Sequence, residues 1–328
     1  MKKLSIVIAA YNGEKYVKEC LDSFLDDTTV SELDVIFVDN GSNDDTLKIA
    51  KEYERKYSDA LRVIHQEPNR GPGSVYNLGI KQAKGKYWLS LDIDDRIKKP
   101  SLLGLLEQID SFESDLVFFD MEVFRDKKVL RIYSYRKLLQ ENETYAFDTK
   151  IKKARKFIHC FMIRTDLLKN NNCQVGSYSN CHDIELNLKI FVASRTCSYI
   201  GVILYEYRLS KNQGSNWSSI IKNRNNFYEA GIHNSKLISL TNSKDLPKNI
   251  SEVTNKHCFI HLWTSYYLTM FESEQRRKEV LLELDKALYK TGKKMPLSVK
   301  MARSNNFIIR AIMKKIYIFI HTYLFWNS

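Results

Sequence analysis

Three carboxylates stand close together directly after a short apolar stretch. Residues 87–91 are apolar and aromatic apart from one serine, which is typical of a buried strand. Asp92, Asp94 and Asp95 follow, and like charges at this spacing repel each other unless a cation lies among them. Carboxylate oxygens are the ligands that Mg²⁺ and Mn²⁺ prefer. The stretch indicates a divalent-metal site able to hold substrate phosphates, although a short acidic motif alone also fits a solvated turn.

Two earlier apolar runs also end in polar residues. Residues 4–10 lead into Tyr11 and Asn12, and residues 33–38 lead into Asp39. Near-continuous apolar runs predict parallel strands that are covered on both faces. Ligands bind open parallel sheets beyond the carboxyl ends of the strands. These polar side chains and the three carboxylates are therefore expected at one edge of a sheet.

Helical and extended stretches alternate along the first two hundred residues. The predicted helices are residues 14–25, 46–57 and 74–83, and the predicted strands are residues 4–10, 33–38, 61–65, 87–91, 115–123, 156–164 and 201–207. Asp44 or Asp45 is the expected N-cap of the second helix. This β-α-β-α order predicts an α/β fold, with a mostly parallel, Rossmann-like sheet flanked by helices.

Two common nucleotide-binding motifs are missing from the sequence. No G-x-G-x-x-G follows the first strand, which argues against a dinucleotide dehydrogenase, and no G-x-x-x-x-G-K-[ST] indicates a P-loop. The six cysteines are scattered, with no C-x-x-C pair, and no secretory signal precedes them. Reduced, largely buried thiols in the cytoplasm are expected.

The positive charge is concentrated in the last third of the chain. From Lys211 onward, Lys and Arg outnumber Asp and Glu by 19 to 8, which accounts for nearly all of the net charge of +12. We therefore expect two regions, an α/β domain over residues 1–215 and a helical basic region over residues 216–328. Only the second has a charge that calls for an anionic partner.

Four motifs together resemble the family 2 glycosyltransferases of bacterial polysaccharide biosynthesis, which have the GT-A fold. The motifs are residues 5–12, 38–46, 69–79 and 85–95. One departure lies in the second motif, where the family often has two acids before Gly-Ser and this chain has Asp39 and Asn40. Asp39 matches the acid that binds the nucleotide base in this family. Nucleotide binding is therefore still expected.

The resemblance implies a role for each strand end. The implied nucleotide-sugar-binding residues are Ala10, Tyr11, Asn12, Asp39, Arg70, Asp92 and Ile93. Tyr11 would lie beside the uracil, and Asp39 would accept a hydrogen bond from the uracil N–H. Asp94, with Asp92, would ligate Mn²⁺ or Mg²⁺, which neutralises the charge on the departing nucleoside diphosphate.

An inverting transferase also needs a general base for the acceptor hydroxyl. Residues 180–190 resemble the family's Glu-Asp stretch at a helix start, with His182 in place of the usual Glu. Asp183 is the candidate base, because a helix N-terminus favours the ionised carboxylate. A plain N-cap role for Asp183 is the alternative reading. Glu185 lies off the Asp183 face of the helix and is the weaker candidate.

The end of the chain combines basic and aromatic residues. Residues 307–326 contain Arg310, Lys314 and Lys315, followed by an uncharged run from Ile316. That run is far shorter than the ~20 residues needed to span a bilayer. A basic helix with aromatic residues favours peripheral binding to an anionic membrane surface. Packing within the region or in a homo-oligomer is the alternative, and no nucleic-acid motif accompanies the charge.

The sequence thus predicts a cytoplasmic, peripherally membrane-associated inverting glycosyltransferase. It would move a sugar from a UDP-sugar to a hydroxyl of a glycan acceptor, expected to be linked to polyprenyl diphosphate, in capsule, exopolysaccharide or cell-wall polymer synthesis. A nucleotidyltransferase on a similar sheet is one alternative, but residues 9–13 lack the cations of a phosphate-binding loop. A non-catalytic nucleotide- or glycan-binding scaffold is the other, if Asp183 is not a base.

Overall fold

The structure is a computed structural model that describes residues 2–126, 128–147, 160–176, 182–209, 221–222, 224–241, 255, 258–259 and 262–323. The chain divides into two compact units, Met1–Leu209 and Ser210–Ser328. The predicted domain boundary at residue 215 falls among residues 210–220, outside the described part.

Strands and helices of the first unit follow the apolar pattern of the sequence. Its strands are β1 (Leu4–Ala10), β2 (Leu33–Asp39), β3 (Leu61–His65), β4 (Tyr87–Asp92), β5 (Arg96–Ile97), β6 (Leu116–Arg125), β7 (Lys128–Tyr133), β8 (Thr144–Ala146), β9 (Phe161–Arg164) and β10 (Thr196–Arg208). Its helices are α1 (Glu14–Asp22), α2 (Thr46–Lys56), α3 (Pro72–Gln82), α4 (Lys99–Gln108), α5 (Thr165–Asn170) and α6 (His182–Ala193). Every predicted strand overlaps an observed one, although residues 156–159 of the sixth lie outside the described residues.

Within the described residues, these ten strands form one sheet. The main path runs β3-β2-β1-β4-β9-β6-β10-β5, with β7 beside β6 and β8 beside β10. β3, β2, β1 and β4 are parallel, as are β6 and β10. β9 lies between these two groups and is antiparallel to both neighbours. The predicted α/β fold with a mostly parallel sheet is confirmed.

The core of the first unit lies between the sheet and its helices. All residues of β2 are buried, as expected for a strand covered on both faces. α1 contributes Val17, Cys20 and Leu21 to this core from one stripe of the helix. Among the described residues, the cysteines are free and buried, as predicted.

The second unit is helical where it is described. It contains α7 (Arg224–Thr241), α8 (Glu274–Thr291), α9 (Leu297–Arg303) and α10 (Phe307–Tyr323), around a core that includes Leu262, Tyr266 and Leu284. The buried Arg277 of α8 donates to the carbonyl oxygens of Arg303 (2.6 Å) and Ser304 (3.0 Å), which ties α8 to the end of α9. No helix in the described ranges is long and apolar enough to cross a membrane.

Candidate active site

The carboxyl ends of four parallel strands meet at one edge of the sheet. Asp39 at the end of β2 is in register with Ala10 on one side and with His65 on the other. Asp92, the last residue of β4, is in register with Ala9. The predicted strand-end residues therefore lie side by side across β3, β2, β1 and β4.

Three carboxylates converge in the turn after β4. Asp92, Asp94 and Asp95 each offer an oxygen, and these oxygens lie within 4.8 Å of one another. Asp95 is buried, and its oxygens accept hydrogen bonds from the Tyr205 hydroxyl (2.6 Å) and the Arg208 backbone N–H (2.6 Å). Burial, together with the charges of Asp94 and Asp92, raises the pKa of Asp95 well above its ordinary value.

This set of donors fits a divalent cation. Carboxylate oxygens are hard ligands of the kind that Mg²⁺ and Mn²⁺ take. A bound cation would also relieve the repulsion that contributes to the raised pKa of Asp95. Because Asp95 already holds the end of β10 to this turn, the partly exposed Asp92 and Asp94 are the better candidates for ligands. Their role as ligands stays a prediction.

Arg208, the last residue of β10, joins the carboxylate turn to α1. Its Nε donates to the Asp94 carbonyl oxygen (2.6 Å), and its Nη2 lies 2.7 Å from a carboxylate oxygen of Glu19. Burial acts to raise the pKa of Glu19, but hydrogen bonds and charges from Arg208 and Arg96 outweigh it and lower that pKa. Glu19 is therefore a charged residue that stabilises the turn through Arg208.

Asp39 is fully buried, and its two oxygens have different surroundings. Oδ2 lies 2.7 Å from His65 Nδ1 and accepts a longer hydrogen bond from the Ser42 N–H (3.4 Å). Oδ1 has no hydrogen-bond partner within the described residues. Hydrogen bonds to Asp39 and to Glu67 raise the pKa of His65. Because an unpaired buried carboxylate oxygen is costly, Oδ1 is a candidate acceptor for an N–H of a ligand.

The loops after β1 and β2 hold each other in place. The Asn12 N–H donates to Ser42 Oγ (2.9 Å), and the Asn43 N–H donates to Asn12 Oδ1 (2.8 Å). Asn12 adopts a left-handed backbone conformation, with φ of 49°, which asparagine tolerates better than most residues. These bonds fix the backbone next to Tyr11, whose side chain is half exposed.

Asp183 lies in the first turn of α6, as predicted, and is partly exposed. Its charge and those of the carboxylate turn act on the same two tyrosines. Burial raises the pKa of Tyr76, and the charges of Asp92 and Asp183 add to that shift. The same two carboxylates reinforce the effect of burial on the pKa of Tyr207. Asp183, the predicted base, and Asp92, a predicted metal ligand, therefore both raise the pKa of Tyr76 and Tyr207.

The first unit matches a known protein family. The sequence pattern of the family described as Glycosyl transferase family 2 matches residues 5–171, just over half of the chain. The chain belongs to glycosyl transferase family 2. The matched segment runs from β1 through α5, so it includes the strand ends of the candidate site and ends before Asp183.

Relatives and solved structures agree with this family 2 assignment. The poly(ribitol-phosphate) beta-N-acetylglucosaminyltransferase TarS of Staphylococcus aureus (strain MW2) is 30% identical over 238 residues, which cover 70% of this chain and 39% of TarS. This chain thus spans well under half the length of that relative. The crystal structure of S. aureus TarS 1–349 in complex with UDP-GlcNAc has a TM-score of 0.66 and 20% identity, over 96% of this chain and 91% of that chain. The mannosyltransferase PcManGT from Pyrobaculum calidifontis, in complex with GDP-Man and Mn²⁺, has a TM-score of 0.55 and 14% identity, over 99% and 88%.

These structural likenesses show the GT-A fold, as predicted. The second motif of this family 2 chain nevertheless differs from the common pattern at Asn40. The Asn40 Nδ2 donates to Asn69 Oδ1 (3.1 Å), and its Oδ1 accepts from the Arg70 N–H (3.0 Å). A carboxylate in the same place would accept the second bond but has no N–H for the first. Asn40 thus fixes the turn that carries the exposed Arg70.

The backbone of the same turn comes unusually close to the second motif. Gly41 has φ of 78°, and an added Cβ there would lie 2.9 Å from the Asn69 backbone nitrogen. A side chain at this position would push the two loops apart. Position 41 of this chain therefore requires glycine for both conformation and space.

Apart from Asp39, which is buried and offers its unpaired Oδ1, the predicted nucleotide-sugar residues of this family 2 chain fall into two groups. The side chains that are exposed or partly exposed at the sheet edge are those of Tyr11, Asn12, Arg70 and Asp92. Ala10 and Ile93 are buried, so that their backbone groups are what they can offer a ligand. Sequence reasoning missed Tyr205, which bonds to Asp95 across 110 residues, and Glu19, which supports the carboxylate turn through Arg208. No local pattern signals these contacts.

Proposed function

We propose that this chain is an inverting glycosyltransferase that transfers a sugar from a UDP-sugar to a hydroxyl of a glycan acceptor. The observation that carries the proposal is the carboxylate turn of Asp92, Asp94 and Asp95 after β4, which only strand β1 separates from β2 and the unpaired oxygen of Asp39. The family assignment and the UDP and UDP-GlcNAc complexes of TarS support a UDP-sugar as donor.

The nucleotide would be held by the ends of β1 and β2 and by the Arg70 turn. Tyr11 presents a half-exposed ring for stacking against uracil, and Asp39 Oδ1 would accept the N–H of that base. The exposed Arg70 side chain makes no hydrogen bond or ion pair with the part of the chain that is described, so its guanidinium is available for a diphosphate.

Asp183 would act as the general base. Its carboxylate takes the proton of the acceptor hydroxyl as the hydroxyl oxygen attacks C1 of the sugar. The bond from C1 to the diphosphate oxygen breaks with its electron pair, and UDP leaves from the opposite face. Asp92 and Asp94 would hold Mn²⁺ or Mg²⁺, which when bound offsets the negative charge of the leaving diphosphate. The Mn²⁺ in the PcManGT complex supports this choice of cofactor.

The acceptor is proposed to be a lipid-linked polymer of the cell surface, carried on polyprenyl diphosphate at the cytoplasmic side of the membrane. TarS is named for poly(ribitol-phosphate), which supports a phosphate-bearing cell-wall polymer over a neutral free sugar. Capsule and exopolysaccharide precursors would present the same chemistry of a hydroxyl beside anionic groups.

Calorimetric titration with UDP, with and without Mn²⁺, tests the donor site. Wild type should bind UDP at least tenfold more tightly with Mn²⁺, and Asp94→Ala should lose the metal effect. Asp59→Ala, at an exposed acid of the same unit, is the matched control and should behave as wild type. No UDP binding to wild type under either condition would contradict the UDP-sugar proposal.

Turnover separates the enzyme from the alternative functions. Asp183→Asn should retain UDP binding and release UDP from a UDP-sugar at least a hundredfold more slowly, because general bases contribute about 10²–10⁴-fold. A scaffold would show no turnover in either form. A nucleotidyltransferase would release pyrophosphate from a nucleoside triphosphate instead.

The second unit is proposed to bind an anionic membrane surface through α9 and α10. Exposed apolar residues occur along α10 at every fourth position, at Ile308, Ile312 and Ile316. Further exposed apolar side chains are Leu297, Met301 and Phe307, and exposed lysines near them include Lys300 and Lys315. An apolar stripe next to cations matches a surface with acyl chains and anionic headgroups.

Vesicle flotation tests this membrane surface. The full chain should float with vesicles that contain phosphatidylglycerol but not with pure phosphatidylcholine, and Ile312→Glu should reduce the bound fraction severalfold. Lys222→Glu, away from α9 and α10 in sequence, controls for the change of charge. If wild type instead elutes as a dimer or larger oligomer that Ile312→Glu dissociates, the stripe is a protein interface and the membrane proposal is wrong.

A further inference from the structure

Asn77 makes an unusual pair of hydrogen bonds to a single distant residue. Its Nδ2 donates to the Val175 carbonyl oxygen (2.8 Å), and its Oδ1 accepts from the Val175 N–H (2.8 Å). The two residues are 98 positions apart. Because both polar atoms of one side chain pair with both backbone groups of Val175, the contact fixes orientation as well as distance. The proposed mechanism leaves this residue of the third motif without a role.

The segment that Asn77 holds is also pressed against the first turn of α3. An added Cβ at Gly73 would lie 2.0 Å from the Gly176 carbonyl oxygen, so this close approach requires glycine at position 73. Val175 is buried beside it. The backbone of residues 175–176 is therefore docked on α3 at two successive helical turns, through Gly73 and Asn77.

The same segment is bound on its other side by α6. The Gly176 N–H donates to Glu185 Oε2 (2.9 Å), and the other oxygen of Glu185 lies 2.8 Å from Lys189 Nζ. Lys189 also donates to the Gln174 carbonyl oxygen. Glu185 is buried and doubly engaged, which explains its presence next to Asp183 without a catalytic role. Residues 174–176 thus form a strap, bonded to α3 on one side and to α6 on the other.

We propose that Asn77 is a positioning residue, which sets the place of Asp183 over the sheet edge through the strap of residues 174–176. Asp183 and the strap-binding residues Glu185 and Lys189 share one helix, so a shift of the strap moves the carboxylate. Tyr76 is the neighbour of Asn77. Burial raises its pKa, and the charges of Asp92 and Asp183 add to that shift, which agrees with α3 lying close to both carboxylates. The inference rests on the proposed role of Asp183 as base.

Steady-state kinetics of Asn77→Leu and Asn77→Asp test the inference. Leucine removes both hydrogen bonds at similar volume, whereas aspartate keeps the acceptor for the Val175 N–H but places a carboxylate against the Val175 carbonyl oxygen. The readouts are UDP release with Mn²⁺ from the most active of UDP-GlcNAc, UDP-GalNAc, UDP-glucose and UDP-galactose, and UDP binding by calorimetry. The kcat should fall about 10- to 100-fold, as expected for a displacement on the order of 1 Å, while UDP affinity changes less than twofold.

Asn171→Ala is the matched control, because this exposed asparagine of the α5 end bonds locally to the Leu167 carbonyl oxygen. It should leave kcat and UDP affinity unchanged. If both Asn77 variants weaken UDP binding at unchanged kcat, Asn77 supports the donor site and the inference is wrong. If Asn77→Leu does not fold, Asn77→Asp decides alone.

A double variant separates this inference from the function on which it rests. When Asp183→Asn has removed the base, Asn77→Leu should slow the residual release of UDP by less than twofold. An undiminished 10- to 100-fold loss in that background would show that Asn77 acts elsewhere and would overturn the inference. A wild type that releases UDP from none of the four donors, or an Asp183→Asn variant as fast as wild type, would instead contradict the proposed function.

Discussion

Two aspartates of strand β2 show how differently a buried carboxylate is used at the two ends of the sheet. Asp34 is 3% exposed and Asp39 is 0% exposed. Asp34 Oδ1 accepts from Arg62 Nη2 (2.6 Å), and its Oδ2 accepts from the Ser5 hydroxyl (2.7 Å) and the Lys84 N–H (2.8 Å). Asp39 has a partner for Oδ2 in His65, and its Oδ1 has none within the described residues.

The difference separates what stabilises this unit from what it offers to a ligand. At the amino end of the strands, every oxygen of the buried carboxylate is paired, so burial is compensated. At the carboxyl end, β2 has an unpaired carboxylate oxygen, and across β1 lie the carboxylates that repel each other after β4. Both features are unfavourable to folding, and both would be relieved by a nucleotide and a cation. We infer that the amino edge serves stability and the carboxyl edge serves binding.

The largest effect is expected at the stabilising end. Asp34→Ala removes the carboxylate that pairs with Arg62, Ser5 and Lys84, so the buried Ser5 hydroxyl loses its acceptor and the Arg62 guanidinium loses its ion pair. We expect the free energy of unfolding to fall by about 3 kcal/mol. Urea denaturation followed by circular dichroism measures this change. A loss below about 1 kcal/mol would mean that the paired end is not the stabilising one.

Asp39→Asn should weaken UDP binding strongly while changing the free energy of unfolding little. The amide can still pair with His65, and the unpaired charge is removed, so the free energy of unfolding should change by less than about 1 kcal/mol. UDP affinity should fall about 10- to 100-fold, because a hydrogen bond to a charged group contributes about 1.5–3 kcal/mol. Calorimetry with UDP and Mn²⁺ measures the affinity, with Asp59→Asn as control. Unchanged UDP affinity would mean that Asp39 Oδ1 does not accept the uracil N–H.

The strands of this binding edge could be predicted from sequence because their pattern is local. β1 and β3 have the predicted bounds, and the carboxylate turn follows β4 within one residue of the expected place. Parallel strands covered on both faces give uninterrupted apolar runs, and the polar residue that ends each run marks the edge. For the N-cap of α2, the sequence predicts Asp44 or Asp45. Asp45 occupies the N-cap position without a side-chain cap bond, whereas Asp44 just before it accepts a hydrogen bond from the Thr46 N–H (3.0 Å).

The supports of the site could not be predicted because they join distant parts of the chain. The Tyr205 hydroxyl reaches Asp95 only because β10 lies beside β5 in the sheet. The position of β9, antiparallel between β4 and β6, depends on packing rather than on a sequence period. Likewise, no sequence pattern predicts the hydrogen bonds between Asn77 and Val175. Contacts of this kind are set by tertiary structure, which local propensity does not encode.

A smaller effect is expected from Asn40→Asp, which restores the second acid that is common in the family. The carboxylate would still accept from the Arg70 N–H but would face Asn69 Oδ1 without a proton to share. We expect the free energy of unfolding to fall by about 1 kcal/mol and UDP affinity to fall severalfold, because the Arg70 turn loosens. Thermal unfolding and calorimetry measure the two effects. Tighter UDP binding in the variant would show that the Arg70 turn does not depend on the Asn40 amide.

The smallest effect is expected from the protonation of His65, which links Asp39 to Glu67. Its pKa in the folded protein is raised by the hydrogen bond to Asp39 and then by that to Glu67. The contribution of this group to stability is therefore fully present below the unfolded-state pKa of about 6.5, and it is lost as pH rises through the higher folded-state pKa. The difference in free energy of unfolding between wild type and His65→Gln should shrink by roughly 0.5 kcal/mol from pH 5.5 to pH 8.5, because the imidazole is partly exposed. Denaturation of both forms at each pH measures it, and a difference that grows with pH would mean that Asp39 does not hold the imidazolium.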